Sequence, residues 1–101
     1  MSGEFRSFSE FYPFYLSQHS DRTCRRLHFA GTLMLIVIAL GATITGSWKL
    51  LWFLPVVGYG FAWVGHFFFE HNRPATFTNP FYSLLGDFVM FRDMLTGRIR
   101  L

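Results

Sequence analysis

Formal charge is scarce in this sequence and almost absent from its middle. Only 15% of the 101 residues are charged, against about 25% in ordinary soluble domains. Between Arg26 and Glu70 the single charged residue is Lys49. Because such a stretch lacks the polar groups that contact with water requires, it cannot form a solvated surface.

Cysteine is nearly lacking too, and so is the apolar core of a secretory leader. Cys24 is the only cysteine, which excludes an internal disulfide, and we expect it to be a small buried apolar side chain. The first 26 residues carry acidic groups among aromatic ones, so we expect no signal peptide.

The basic residues flank apolar segments, which favours contact with lipid headgroups and argues against a nucleic-acid partner.

Long apolar runs are what the sequence has in abundance. No formal charge occurs over the 22 residues from Leu27 to Trp48 or over the 20 residues from Leu50 to Phe69. A bilayer core of about 30 Å is crossed by roughly 20 helical residues. The sequence therefore predicts transmembrane helices over 22–46 and 50–70, and the break at 46–49 is so short that they must run antiparallel.

Two amphipathic helices are predicted to flank this hairpin at the membrane interface, over 7–19 and 81–95, with a loop at 75–80. Ser7 and Glu10 have the spacing of a capping box, and Ser20-Asp21 is a good N-cap pair. The expected fold class is thus an all-α membrane helical hairpin in a single domain, residues 1–101.

The expected orientation comes from the arginines. Most of them flank the end of the hairpin where the chain enters and leaves, and only Lys49 lies at the other end. The positive-inside rule then predicts that both termini are cytoplasmic. A monotopic hairpin that dips into one leaflet is the alternative. Because two spanning helices bury little area alone, we also expect a homo-oligomer.

Four histidines, His19, His28, His66 and His71, lie near that same end. Imidazole is a common ligand of iron, zinc and copper. His28 and His66 lie at membrane depth on facing helices, where polar residues are usually functional. His19 can join them only if the chain turns at Ser20-Asp21, and His71 only if the second helix unwinds. Interfacial anchoring of the rings is the alternative interpretation.

Two charged residues beside these histidines are candidate catalytic residues. Glu70 comes four positions after His66, shares its helix face, and could complete a two-His-one-carboxylate iron site. Arg73 could pair with a substrate carboxylate, as could Arg22, Arg25 or Arg26. A salt bridge between Glu70 and Arg73 is the structural alternative.

The segment from Gly65 to Ala75, GHFFFEHNRPA, resembles the G-H-x-x-x-E-x-x-x-P-A signature of the 2-hydroxy-fatty-acid dioxygenase family. The upstream His19 and His28-Phe-Ala-Gly31 resemble its H…H-x-x-G element, and residues 79–87 are similar to its short bacterial branch. The resemblance covers roughly residues 11–99.

The resemblance implies a membrane enzyme that uses Fe(II) and O2 to shorten a 2-hydroxy fatty acid by one carbon. It implies iron-binding roles for His19, His28 and His66 and a bacterial inner-membrane location. A fatty-acyl tail would then lie between the apolar helices, where Phe67-Phe68-Phe69, Trp52 and Trp63 either line a channel or contact lipid. A non-catalytic hairpin that serves as a scaffold or binds lipid is the alternative function.

Overall fold

The computed structural model of the chain describes residues 5–73 and 78–101, and these residues form helices and no β-strand. The α-helices are α1 (Phe8–Ser17), α2 (Arg22–Thr45), α3 (Phe53–Val64) and α4 (Pro80–Leu95). A 3₁₀-helix (Trp48–Trp52) precedes α3, and a π-helix (Gly65–Glu70) succeeds it. The all-α fold class is confirmed. The predicted loop at 75–80 lies partly outside the described residues, and its last residue, Pro80, begins α4.

Side-chain caps determine where α1 and α2 begin. Ser7 Oγ accepts a hydrogen bond from the Glu10 N–H at 3.3 Å, and Asp21 Oδ1 accepts one from the Cys24 N–H at 3.0 Å. These bonds satisfy amides that have no partner within the first helical turn. The interfacial helix predicted over 7–19 ends earlier, at Ser17, so His19 lies in the turn between α1 and α2.

Small residues bring the two arms of the hairpin together. The first arm ends at Gly46, whose φ of +70° lies in the left-handed region. A Cβ added to Gly31 would lie 2.9 Å from Cβ of Phe61, and one added to Gly65 would lie 2.9 Å from Sγ of Cys24. These pairings run in opposite directions along the two arms, which makes the hairpin antiparallel. Close approach at glycine is typical of helices that pack in membranes.

The second arm is one continuous helix of 23 residues, Trp48–Glu70, built from the 3₁₀-helix, α3 and the π-helix. It starts two residues before the predicted range of 50–70. The π-helix ends at Glu70, and the next residue, His71, has a φ of +59° and donates its N–H to the His66 carbonyl. The Asn72 N–H donates to that carbonyl too, at 3.0 Å. The chain therefore folds back so that Asn72 lies beside His66.

Both arms are long and apolar enough to cross a membrane, judged by length and composition. Only 22% of the apolar window of the first arm and 11% of that of the second are buried within the chain. Ile44 and Trp52 are each 81% exposed. The core helix of a soluble protein is mostly buried, so these two arms have the surface expected of helices in contact with lipid.

The two outer helices, α1 and α4, pack against each other beside the hairpin. Their shared core is a buried cluster of Phe11, Tyr15, Met90 and Met94. Two tyrosine–carboxylate hydrogen bonds connect the helices: Tyr12 donates to Asp93 at 2.7 Å, and Tyr15 donates to Asp87. This packing places the C-terminal end of α1, and therefore His19, against the open end of the hairpin.

Candidate metal centre

Three histidines from three separate elements meet at the open end of the hairpin. His19 lies just after α1, His28 lies on α2, and His66 lies in the π-helix. Their ring centroids are 4.3 Å (His19–His28), 4.5 Å (His19–His66) and 4.9 Å (His28–His66) apart, and the rings stand at 74–90° to one another. All three side chains are at least 95% buried.

A tight turn brings His19 to His28. If α1 and α2 were one continuous helix, the two residues would lie on opposite sides of it. α1 ends at Ser17, and α2 begins after its cap residue Asp21. The Arg25 guanidinium closes this turn by donating to the carbonyls of Ser20 at 2.8 Å and His19 at 3.3 Å. The chain thus turns at Ser20-Asp21, as convergence of the two rings requires.

The hydrogen bonds of the rings determine which nitrogen carries the proton. Nδ1 of His19 faces the Tyr15 carbonyl at 2.7 Å, and Nδ1 of His28 faces the Cys24 carbonyl at 2.9 Å. Because a carbonyl oxygen only accepts, both Nδ1 atoms must donate. Each neutral ring then has its lone pair on Nε2, the nitrogen that a metal ion would bind.

Asn72 sets the same tautomer in His66. Its Nδ2 donates to the backbone oxygen of Gln18 at 3.1 Å and to the Gln18 side-chain oxygen at 3.2 Å. Because Nδ2 makes these bonds, the other side-chain atom, Oδ1, faces Nδ1 of His66 at 2.7 Å. An amide oxygen only accepts, so Nδ1 of His66 carries the proton. Such outer partners orient metal-binding histidines and raise their affinity.

The spacing of the Nε2 atoms suits a shared cation. Nε2 of His19 and Nε2 of His28 are 3.1 Å apart. With both protons on Nδ1, two lone pairs face each other at this distance, which is unfavourable unless a positive charge lies between them. Two nitrogens about 2.1 Å from one ion are roughly 3.0–3.4 Å apart at bond angles of about 90–110°. The donor set therefore fits a divalent transition metal.

Burial keeps His19 in the neutral form that binds metals. Desolvation lowers the pKa of His19 well below its ordinary value, and the neighbouring His28 and His66 lower it further. The Tyr15 carbonyl opposes this shift through its hydrogen bond. A neutral ring is the form that can donate a lone pair.

Cys24 belongs to the same buried group. One ligand atom from each of His19, Cys24, His28 and His66 lies within 4.8 Å of the others. The sulfur is 3.7 Å from Nδ1 of His28, the nitrogen that already donates to a carbonyl. Cys24 is 0% exposed, as expected from the sequence. It also lies beside the histidines.

An apolar cavity of about 650 Å³ adjoins the three histidines. Residues of α2, α3 and α4 form its walls, including Leu35, Ala39, Ala62, Leu84 and Phe88. His19, His28, His66 and Asp87 lie together in its lining. Of the aromatic residues that were candidates for an acyl channel, Trp63 lines the cavity, whereas Trp52, Phe67, Phe68 and Phe69 expose 42–81% of their surface.

Comparison with known families bears directly on this site. The family model described as 2-hydroxy-palmitic acid dioxygenase Mpo1-like matches residues 5–99, which include all three clustered histidines. The chain belongs to the Mpo1-like family. The family resemblance of the sequence is thereby confirmed. No curated protein and no solved structure matches this Mpo1-like chain.

Three other predicted site residues of the Mpo1-like chain are less buried than the clustered histidines. Glu70 accepts hydrogen bonds from the Ser20 hydroxyl at 3.0 Å and from the Asp21 N–H, so its carboxylate fastens the π-helix to the start of α2. His71 is exposed, and its left-handed backbone ends the π-helix. Arg73 is exposed as well.

Four arginines were candidate partners of a substrate carboxylate: Arg22, Arg25, Arg26 and Arg73. None of them is among the described residues that line the cavity. Arg22 and Arg26 donate to the oxygen of Leu101 at 3.0 Å and 3.4 Å. Arg25 closes the turn at Ser20. None of these arginines therefore lines the described walls of the cavity in which a ligand would lie.

Two pairs of residues contribute to the site without having been singled out from the sequence. Asn72 and Gln18 orient His66, and Tyr15, which bonds Asp87, stacks on His19. Burial raises the pKa of Asp87 to about 7, although the hydrogen bond from Tyr15 lowers it. Burial also raises the pKa of Tyr15 well above its ordinary value, and the Asp87 charge adds to this shift. Each pair joins residues distant in sequence, so local patterns carry little signal for them.

Proposed function

We propose that this chain is a membrane-embedded, Fe(II)-dependent dioxygenase that shortens 2-hydroxy fatty acids by one carbon. One observation carries the proposal: three buried imidazoles with lone pairs on Nε2 converge at the polar end of a large apolar cavity. His19, His28 and His66 would bind iron through Nε2. Bound iron supplies the redox chemistry that O2 requires and brings O2 and substrate together.

The cavity walls would bind the acyl tail and exclude water. The lining residues on α2 run from His28 to Leu40, twelve residues along a helix, which corresponds to about 18 Å at 1.5 Å per residue. Apolar walls of this length match a long hydrocarbon chain whose polar head lies at the histidines. The 2-hydroxyl and carboxylate of the substrate would thus lie next to the three rings.

We further propose that the two arms span the inner membrane of a bacterium with both termini in the cytoplasm. Support comes from Glu70, which contacts Ser20 and Asp21 and so holds the arginine-bearing ends of both arms at one face. Ser47→Cys tests this orientation, because the exposed turn should react with an impermeant maleimide from the periplasmic side only. Labelling from neither side would favour the monotopic hairpin, whose tip stays within the bilayer, and labelling from the cytoplasmic side would contradict the proposed orientation. The homo-oligomer stays a prediction.

Metal analysis and O2 uptake test the enzymatic proposal. Detergent-purified protein, loaded anaerobically with Fe(II), should bind one iron per chain and consume O2 with 2-hydroxypalmitate, yielding the acid one carbon shorter. Palmitate, which lacks the 2-hydroxyl, is the control substrate. His66→Ala should abolish iron retention, and the matched variant His71→Ala, which changes an exposed ring, should retain it.

The alternative function, a non-catalytic scaffold or lipid-binding hairpin, predicts a different result from the same preparation. The protein would bind no transition metal, and the two histidine variants would behave alike. Undiminished iron content in His66→Ala would also contradict the proposed site.

A further inference from the structure

Tyr15 holds His19 by two separate contacts. Its carbonyl accepts the Nδ1–H bond of His19 at 2.7 Å, and its ring stacks on the imidazole with centroids 4.1 Å apart and planes at 26°. The tyrosine is only 1% exposed. The position of Nε2 of His19 therefore depends on the position of Tyr15.

α4 in turn holds Tyr15. The tyrosine hydroxyl donates to the Asp87 carboxylate. The neighbouring Gly86 lets the ring lie against the α4 backbone, since a Cβ added there would be 2.9 Å from Cδ2 of Tyr15. The ring is thus enclosed by α4 and by the imidazole of His19.

We propose that the Tyr15–Asp87 pair is a positioning device that sets the metal affinity of the site by holding His19 opposite His28. This inference rests on the proposed metal-binding function. Asp87 lies outside the group of ligand atoms within 4.8 Å of one another, although it lines the same cavity. Its hydrogen bond is to Tyr15, so it would act through that tyrosine as a positioning residue.

The chain contains a matched control for this proposal. Tyr12 donates to Asp93 at 2.7 Å, so it connects the same two helices with the same chemical groups. Tyr15 stacks on both His19 and Tyr12, whereas Tyr12 stacks on Phe8 and Tyr15 and on neither side meets a histidine. Removing either hydroxyl should weaken the contact between α1 and α4. Only Tyr15 carries the carbonyl and the ring that hold His19, so only the loss at Tyr15 should reach a histidine.

The test is a Co²⁺ titration of the metal-free, full-length protein in detergent, with thermal unfolding of each variant in parallel. Tyr15→Phe and Asp87→Ala keep the carbonyl that faces His19 but free the tyrosine that carries it, so they should raise the dissociation constant by about 10-fold, the lower end of what outright loss of an outer partner costs. Tyr12→Phe should lose similar thermal stability but keep wild-type affinity. Asp87→Asn, which retains an oxygen acceptor for Tyr15, should recover most of the affinity.

Equal Co²⁺ affinity in Tyr15→Phe and wild type would overturn the positioning role while leaving the metal site intact. Equal losses in Tyr15→Phe and Tyr12→Phe would also overturn it, because the effect would then be general loosening of α1. If Tyr15→Phe does not fold, Asp87→Ala and Asp87→Asn decide the question by the same comparison. A wild-type protein that binds no Co²⁺ would instead refute the proposed metal function itself.

Discussion

Replacing Gly65 with alanine is expected to move His66 away from the other two histidines. An added Cβ would lie 2.9 Å from Sγ of Cys24 and 3.3 Å from its Cα. Cys24 is 0% exposed, so neither its short side chain nor the α2 backbone can move aside freely. The π-helix that begins at Gly65 must shift instead, and His66 is its next residue.

Overpacking of this kind costs about 1–3 kcal/mol. If this strain acts on the arrangement that binds metal, affinity falls by roughly 5- to 150-fold, since about 1.4 kcal/mol corresponds to a factor of ten. Co²⁺ titration measures this change, and thermal unfolding of the metal-free protein measures the general loss of stability.

Two further variants make the Gly65→Ala result decisive. Gly60→Ala places the same methyl group on the same arm, where nothing lies within 4 Å, and should leave affinity unchanged. Adding Cys24→Ala to Gly65→Ala removes the sulfur but not the 3.3 Å contact with Cα, so Gly65→Ala should cost less affinity when the double variant is compared with Cys24→Ala alone. Wild-type affinity in Gly65→Ala, or an equal cost of Gly65→Ala with and without Cys24→Ala, would refute this account of how the arms position His66.

Three other predictions concern Asn72, Asp87 and the apolar cavity. Asn72→Ala removes the acceptor of His66 Nδ1 and should weaken Co²⁺ binding by roughly 10- to 100-fold; unchanged affinity would mean that another group orients the ring. Because the pKa of Asp87 is raised from 3.8 to about 7, the folded state binds its proton more tightly than the unfolded state, and metal-free stability should fall as pH rises from about 4 to about 7. Thermal midpoints across that range should show this decline in wild type relative to Asp87→Asn, and parallel curves would contradict it. Ala39→Phe fills the cavity far from the histidines, so it should keep metal affinity while shifting the chain-length preference of O2 uptake toward shorter 2-hydroxy acids; an unaltered preference would place the acyl tail elsewhere.

Local patterns in the sequence predict the helix starts and the hairpin well. Ser7 and Asp21 cap the helices they precede, and the two uncharged runs form the two antiparallel arms. The antiparallel arrangement also explains why His28 and His66, 38 positions apart in the numbering, have ring centroids only 4.9 Å apart. These features depend on short-range spacing and on chain reversal, both of which a single sequence displays.

Other features depend on backbone geometry that the same patterns leave open. Phe67-Phe68-Phe69 is compatible with an α-helix or a π-helix, and the type of helix determines which later residue reaches His66. Closure of the π-helix at His71 directs Asn72, rather than His71, to the site. The bond between Tyr15 and Asp87 joins residues 72 positions apart, and its acceptor has no local signature. These contacts could be found only from the folded chain.

Three neutral rings bring no negative charge to a divalent ion, and apart from Asp87 the walls beyond them are mostly hydrocarbon. A cation bound there would keep most of its double positive charge in surroundings where water screens it poorly. The mouth of the cavity would then need no basic side chain to attract an acid, since the ion provides the electrostatic pull. Anionic lipids would be favoured over neutral ones of equal length. The metal would select the polar head of the ligand, and the helices would select its hydrocarbon tail.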